Sequence, residues 1–187
     1  MAADQHQPPH RRSVRLPGFD YSQNGAYFIT ICTKGRECIL GNISNGEMVK
    51  TKIGEAAEKC WREIPTHFPN AQADVFIIMP NHIHGIIVLH GEGKTGIPKQ
   101  ENAIVDTMVG ANHDSPLQKS RPRGTFQTIG SIIRGFKIGV AKQTGRLIWQ
   151  RNYYEHIIRD GDEYRKIIDY INSNPMNWET DQLHTGE

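Results

Sequence analysis

The sequence has few cysteines and no long apolar run. Of its 187 residues three are cysteine, and Cys32, Cys38 and Cys60 have no CxxC spacing. This pattern indicates neither a disulfide framework nor a zinc knuckle, and it is typical of the reducing cytoplasm. The N-terminal residues MAADQHQPPHRRSVRLPGF lack the apolar segment of a secretory signal, and no segment has the composition of a transmembrane helix. We therefore predict a cytoplasmic protein without a membrane partner.

Acidic residues are missing from one stretch, 117–151, which contains only basic charges. The basic residues there are Lys119, Arg121, Arg123, Arg134, Lys137, Lys142, Arg146 and Arg151. A run of one sign is typical of a surface that binds a polyanion. The alternative is a solvated face of a loop and a helix.

The remaining pattern predicts one α+β domain over residues 21–178. Hydrophobic residues make up 37% of the chain and charged residues 22%, as in an ordinary globular protein. A basic, proline-containing arm precedes the domain (1–20), and a tail follows it (179–187). An insertion at about 90–124 has no clear period and is too long for an ordinary connection, so we expect it to be mobile.

Strands and helices alternate in an order that favours a ferredoxin-like fold. Strands are predicted in AYFITICT, DVFIIM, HIHGIIVLH and LIWQRNYYEHIIRD, and a hairpin turns at Asn45-Gly46. The two apolar runs DVFIIM and HIHGIIVLH predict central strands. Helical spacing of apolar residues predicts helices over 53–64, over 129–140 and in GDEYRKIIDYINSNP, where Asp162 is a candidate N-cap. We expect an antiparallel sheet with its helices mainly on one face.

The segment MPNHIHGIIVL is the most informative motif. Side chains alternate across a strand, so His82 and His84 point to one side while Ile83 enters the opposite apolar layer. Two imidazoles on one face can bind one divalent ion, although a third protein ligand is normally needed. Two hydrogen-bonded structural histidines are the alternative.

The last predicted helix offers the missing chemical groups. Tyr170 and Asn174 are four residues apart and therefore share a helical face. The Asn174 carbonyl suits Mg2+ or Mn2+, and the Tyr170 phenol can act as a nucleophile in phosphodiester chemistry. Asn174 precedes a proline, which disfavours helical backbone and also fits a helix-ending role. Tyr170 could equally pack, and the competing nucleophiles Tyr153 and Tyr154 are interpreted as core and surface residues of a strand.

Jointly these motifs resemble the single-tyrosine HUH transposases, in particular the REP-associated tyrosine transposases. The resemblance runs from RLPGFDYSQNGAYFITICT through MPNHIHGIIVL, IIRGFK and IWQRNYYEHIIRD to DEYRKIIDYINSNPMNW. It implies an HUH endonuclease fold with His82, His84 and Asn174 as metal ligands and Tyr170 as the catalytic nucleophile. The partner it implies is single-stranded DNA with hairpin structure, and no P-loop is found, in keeping with a reaction that needs no ATP.

The resemblance further implies nicking and joining of DNA through a covalent 5′-phosphotyrosine intermediate, with Mg2+ or Mn2+ as cofactor, by a monomer or a homodimer. We expect six residues of the basic run to line the DNA path near the strand that carries His82: Arg121, Arg123, Arg134, Lys137, Lys142 and Arg146. Two alternatives remain. One is an HUH replication initiator or relaxase, and the other is a non-catalytic ferredoxin-like module that binds nucleic acid.

Overall fold

The structure, a computed structural model, describes residues 24–90 and 128–184. Two predicted segments lie outside the described residues: the N-terminal arm and nearly all of the insertion. The same is true of Arg121 and Arg123. The strands are β1 (Gly25–Cys32), β2 (Gly41–Ser44), β3 (Glu47–Lys50), β4 (Ala71–Ile78), β5 (His82–Leu89) and β6 (Tyr154–Ile158). The α-helices are α1 (Lys52–Arg62), α2 (Ile64–His67), α3 (Ile129–Thr144) and α4 (Gly161–Ser173). This order agrees with the sequence prediction except for α2, a four-residue helix that contains Pro65, near which the first helix was predicted to end.

Four strands form an antiparallel sheet in the order β4-β5-β1-β6, and β2 and β3 form a separate hairpin. With the hairpin set aside, the order of elements is βαββαβ, and this strand order is that of a ferredoxin-like sheet. The predicted α+β class is confirmed. The strand β4 lies at an edge, however, so the prediction that both apolar runs are central is wrong for the first of them.

Strand alternation divides the side chains of this sheet between two layers. On one face Ile29, Ile83 and Ile87 form the main core with residues of α1, α2 and α3. On the other face Phe28 and Ile86 pack against Ile171 of α4. Most described helices therefore cover one face, as predicted, whereas α4 lies on the face that carries the functional groups. Among the described residues, no helix has both the length and the apolar composition to cross a membrane.

Local signals in the sequence explain where the main elements begin and turn. The side chain of Thr128 caps α3 in a reciprocal pair with Ser131. The helix α4 is capped by Asp160, whose carboxylate accepts from the backbone N–H groups of residues 162 and 163. The N-cap prediction of Asp162 was therefore two residues late, because two acidic residues near one helix start both fit the pattern.

Gly85 allows the helical layer to approach β5 closely, one residue after His84. A Cβ atom at this position would lie 2.4 Å from Cζ2 of Trp61 and 2.8 Å from Cβ of Phe76. Both distances are shorter than any ordinary carbon contact. The indole of Trp61, which is fully buried, therefore packs directly on the backbone of the strand that carries the histidines.

Candidate active site

His82 and His84 lie side by side on β5 and point towards α4. Their ring centroids are 4.4 Å apart, and the two residues are only 0% and 2% exposed. Ile83, between them, belongs to the main core on the opposite face. The predicted alternation of these three side chains is thus confirmed.

The amide of Asn81 determines which nitrogen of His82 carries the proton. Asn81 Nδ2 donates to the backbone oxygens of Leu183 (2.8 Å) and Arg36 (3.2 Å), which fixes the orientation of the amide. Its Oδ1 then accepts from His82 Nδ1 at 2.7 Å. Because a carbonyl oxygen can only accept, the proton is on Nδ1 and the lone pair is on Nε2. Among the described residues, no hydrogen-bond partner reaches this buried Nε2.

Thr30 holds His84 in a similar way from the neighbouring strand. The register of β1 and β5 places Thr30 directly opposite His84, and Thr30 Oγ1 is 2.8 Å from His84 Nδ1. When Nδ1–H donates to this hydroxyl, the lone pair of Nε2 faces the site. The hydroxyl of Tyr170 is 3.1 Å from that Nε2. Since one lone pair serves one partner at a time, Tyr170 and a bound ion would compete for it.

Burial keeps both imidazoles neutral at physiological pH. Desolvation lowers the pKa of His82 to about 3, assisted by the positive charge of Arg36. Desolvation likewise lowers the pKa of His84 to about 3, with a contribution from the neighbouring His82. A neutral imidazole is the form that binds a metal ion, so neither histidine must lose a proton to act as a ligand.

The helix α4 supplies Tyr170 and Asn174 on the same face, as predicted from their spacing. Tyr170 is 45% exposed, whereas Asn174 is 2% exposed. Asn174 keeps helical backbone angles (φ −58°, ψ −42°) although it precedes Pro175, and the chain continues as a 3-10 helix over Asn174–Thr180. Asn174 Oδ1 is buried, and no hydrogen bond to it is found among the described residues.

Asp181 completes the cluster, and the sequence prediction missed it. Ligand atoms of His82, His84 and Asp181 all lie within 4.8 Å of one another. The segment 179–187 was predicted to be a tail, yet its described part contacts the site: His184 packs against Trp178 with ring centroids 4.6 Å apart, and Trp178 lies 6.0 Å from the His82 ring. Nothing in the sequence distinguishes Asp181 from the other acidic residues.

The surroundings of Tyr170 keep its hydroxyl protonated. Desolvation raises the pKa of Tyr170, and the carboxylate of Asp181 raises it further, while the hydrogen bond with Asn174 acts in the opposite direction. A tyrosine in this state needs a further positive charge nearby before its oxygen becomes a good nucleophile.

The donor set fits a divalent cation. Ligand atoms of His82, His84 and Asp181 lie within 4.8 Å of one another, and Asn174 lines the same cleft. Two acceptor atoms, His82 Nε2 and Asn174 Oδ1, are buried without a hydrogen-bond partner among the described residues. Buried lone pairs that lack a donor are costly, and a cation would satisfy both. The cluster is therefore compatible with a divalent metal, and its composition does not identify which one.

The basic residues predicted to bind DNA are less close to this site than expected. The helix α3 packs on the sheet face opposite to the histidines, so Arg134 and Lys142, both exposed on α3, are not near the site. The sequence could not place them on a face, because a run of charge carries no information about which side of the sheet a helix covers. That Arg134, Lys142 and Arg146 contact DNA stays a prediction.

Lys137 has an internal structural role instead. Its ammonium donates to the backbone oxygens of Gln150 (2.8 Å), Arg151 (3.3 Å) and Asn152 (3.1 Å), which uses all three of its N–H groups. Burial lowers the pKa of Lys137 to about 8. Lys137 therefore fixes the segment before β6, and that it also contacts DNA phosphate stays a prediction.

A cleft of about 650 Å³ opens beside the histidines. Its lining includes His84, Tyr170, Asn174, Asp181 and Tyr154. As predicted for the two adjacent tyrosines, Tyr153 packs against the main core and Tyr154 is exposed.

Comparison with known proteins finds relatives by sequence. No family model matches the chain. An uncharacterized protein of Haemophilus influenzae is 44% identical over 182 residues, which cover 94% of this chain and 93% of that protein. A second protein of Haemophilus influenzae, described as a candidate REP-associated tyrosine transposase, is 24% identical over 157 residues. This match covers 84% of this chain and 73% of that protein.

A solved structure shares the fold. The structure of a REP-associated tyrosine transposase bound to a REP hairpin superposes with a TM-score of 0.56 at 19% identity, and the match covers 92% of this chain and 74% of that one. The sequence relationship extends over most of the chain, and the described part of the chain places the histidine pair beside the tyrosine of the last helix. The chain therefore resembles the REP-associated tyrosine transposases in sequence over most of its length and shares their fold.

Proposed function

We propose that the protein is a metal-dependent endonuclease and strand transferase that cuts and rejoins single-stranded, hairpin-containing DNA through a covalent 5′-phosphotyrosine intermediate. The observation that carries this proposal is the position of the Tyr170 hydroxyl, 3.1 Å from His84 Nε2, beside two buried acceptor atoms without partners among the described residues. A packing tyrosine would not need such neighbours.

In this reaction Tyr170 is the nucleophile and the metal ligands are His82, His84 and Asn174. We add Asp181 to this set because its carboxylate lies with the two imidazoles. A divalent ion, for which we propose Mg2+ or Mn2+, would polarise a non-bridging phosphate oxygen. The Tyr170 hydroxyl gives up its proton to solvent as its oxygen attacks phosphorus, and the 3′ oxygen of the preceding nucleotide leaves and takes up a proton to become a 3′-hydroxyl. The link keeps the energy of the phosphodiester bond, so the free 3′-hydroxyl can reverse the reaction.

The substrate part of the proposal depends on the relatives. The solved relative is described as bound to a REP hairpin, which supports a hairpin as the DNA element for this chain. The open side of the cleft at Tyr170, which is 45% exposed, supports a single strand as the segment that is cut, since the backbone of one strand can reach an exposed phenol directly.

The test is formation of a covalent adduct. End-labelled hairpin DNA with single-stranded flanks is incubated with the protein and Mn2+ or Mg2+ and separated under denaturing conditions. The parent protein should give a slow protein–DNA band that EDTA abolishes, and Tyr170→Phe should give none while it still binds DNA. Tyr164→Phe is a matched control, because Tyr164 is also on α4 but packs in the layer beneath it and hydrogen-bonds to Asp74.

Two outcomes would contradict the proposal. An adduct that persists in Tyr170→Phe and disappears in Tyr153→Phe or Tyr154→Phe would show that another tyrosine is the nucleophile. Tight DNA binding by the parent without any adduct in either metal would favour the non-catalytic nucleic-acid-binding module.

A further inference from the structure

Tyr154 is an exposed aromatic residue in the cleft, at the edge strand of the sheet. Its ring is 52% exposed and meets the ring of Phe28 edge-on, with centroids 6.4 Å apart. Phe28 in turn stacks on the ring of His84 at 5.3 Å and meets Tyr170 edge-on at 6.0 Å. The aromatic contacts thus extend without a gap from the catalytic groups to the surface.

The strand register gives the distance from Tyr154 to the reaction centre. Tyr154 is opposite Thr30 on β1, and Thr30 is opposite His84 on β5. Two strand spacings of about 4.8 Å place the Tyr154 backbone roughly 10 Å from that of His84. A nucleotide next to the phosphate held at Tyr170 can therefore reach the Tyr154 ring.

The chemistry of the cleft favours bases over phosphates as its contacts. Among the described residues that line it, none is lysine or arginine, and the ammonium of nearby Lys137 is bound to backbone oxygens. The cleft instead offers aromatic rings and the amide side chains of Gln150 and Asn152. Aromatic faces bind bases of any sequence by stacking, and amides can hydrogen-bond to base edges.

We propose that Tyr154 is a stacking site for a nucleobase that flanks the cleaved phosphate, and that it thereby positions the strand for attack by Tyr170. This inference depends on the proposed function for the identity of the strand. Tyr154 touches the base and not the reacting atoms, so it is a substrate-binding residue. Gln150 and Asn152, held in place by Lys137, lie where they can contact the edge of the stacked base.

The test separates bases from phosphates. All variants are made in a Tyr170→Phe background, so that the strand stays intact, and Mn2+ is present throughout. Affinity is measured by fluorescence anisotropy for a labelled single strand of mixed sequence and for a matched strand in which every base is replaced by an abasic unit. Stacking contributes enough that Tyr154→Ala should bind the normal strand about 5- to 100-fold more weakly. Its affinity for the abasic strand should be unchanged.

Further variants distinguish stacking from a structural role. Tyr154→Phe keeps the ring and should retain the parent affinity, whereas Tyr154→Leu, which keeps an apolar contact with Phe28, should lose as much as Tyr154→Ala. Val49→Ala is the control: Val49 is equally exposed, at 52%, but lies on the separate hairpin. It should bind both strands as the parent does.

The outcomes are decisive in both directions. A loss confined to the base-bearing strand supports the proposal, even if the parent protein forms no covalent adduct and the proposed function fails. Equal losses on both strands, or no loss on either, overturn the stacking site, even if the adduct forms and the proposed function stands.

Discussion

Replacement of Asn81 by leucine should weaken metal binding although Asn81 cannot itself reach the ion. Asn81→Leu keeps the branched shape of the side chain, with two larger methyl groups in place of the amide oxygen and nitrogen, and removes the acceptor for His82 Nδ1, which is 2.7 Å from Asn81 Oδ1. Without this acceptor the proton of His82 is free to move to Nε2, and the lone pair then points away from the other ligands.

The size of the effect follows from the change in this hydrogen bond when a cation binds. A hydrogen bond between neutral groups contributes about 1 kcal/mol, and one from a charged donor contributes about 1.5–3 kcal/mol. The imidazole becomes a stronger donor when its other nitrogen binds a cation, so Asn81 favours the metal-bound state by about 0.5–2 kcal/mol. We expect Asn81→Leu to lower the affinity for Mn2+ by roughly 2- to 30-fold.

Calorimetric titration of the full chain with Mn2+ measures this affinity. Asn81→Leu also leaves the backbone oxygens of Arg36 and Leu183 without their donor, so its stability will fall as well. Thr33→Val controls for that loss, because Thr33 is fully buried and its hydroxyl is shared between the backbone oxygens of Glu37 (2.8 Å) and Asn81 (3.0 Å). No hydrogen bond between Thr33 and His82 is found among the described residues. Thr33→Val should lose stability and keep its Mn2+ affinity. Parent-like Mn2+ affinity in folded Asn81→Leu would refute the reasoning.

Three further predictions concern other parts of the molecule. Asp181→Asn should lower the pKa of Tyr170, because the carboxylate of Asp181 raises it; ultraviolet titration of tyrosinate, with Tyr170→Phe as the blank, detects the shift, and an unchanged curve would contradict it. Gly85→Ala should destabilise the fold by about 1–3 kcal/mol in urea unfolding, since the new Cβ would lie 2.4 Å from the indole of Trp61; unchanged stability would show that Trp61 can move. Arg134→Ala should reduce the slope of log affinity against log salt concentration by about 0.9 for a hairpin with a paired stem. For an unpaired strand the slope should stay unchanged, because Arg134 is on α3, opposite the cleft. If the variant and the parent have equal slopes on the hairpin, Arg134 is only solvated.

Local periodicity predicted the parts of the site that depend on one element. The period of two on β5 correctly placed His82 and His84 together, and the period of the helix placed Tyr170 and Asn174 on one face. These relations need no knowledge of the rest of the fold, because strand and helix geometry alone impose them. Pro175 did not disturb the prediction, since Asn174 keeps helical angles at the start of a 3-10 helix.

Relations between distant segments could not be predicted in this way. Thr30 meets His84 only because β1 and β5 pair in a particular register, and Asp181 reaches the histidines only because the chain folds back after α4. The central position predicted for β4 was wrong for a different reason. This edge strand is apolar because both of its faces are covered: Ile78 packs in one layer and Ile77 in the other.

The basic run illustrates the same limit for charge. The positive sign of the run is evident from the sequence, but the fold determines where each residue lies. Arg134 and Lys142 are exposed on the outer surface of α3, whereas the ammonium of Lys137 binds a backbone oxygen before β6. The described lining of the cleft contains a carboxylate, amides and aromatic rings, and no lysine or arginine. If a strand enters this cleft, we expect the ion that the histidines would hold to neutralise its phosphate charge there, and the rings to stack on its bases. Binding of the unpaired strand should consequently depend strongly on the divalent ion and only weakly on monovalent salt, whereas a contact of the paired stem with α3 would show the opposite dependence.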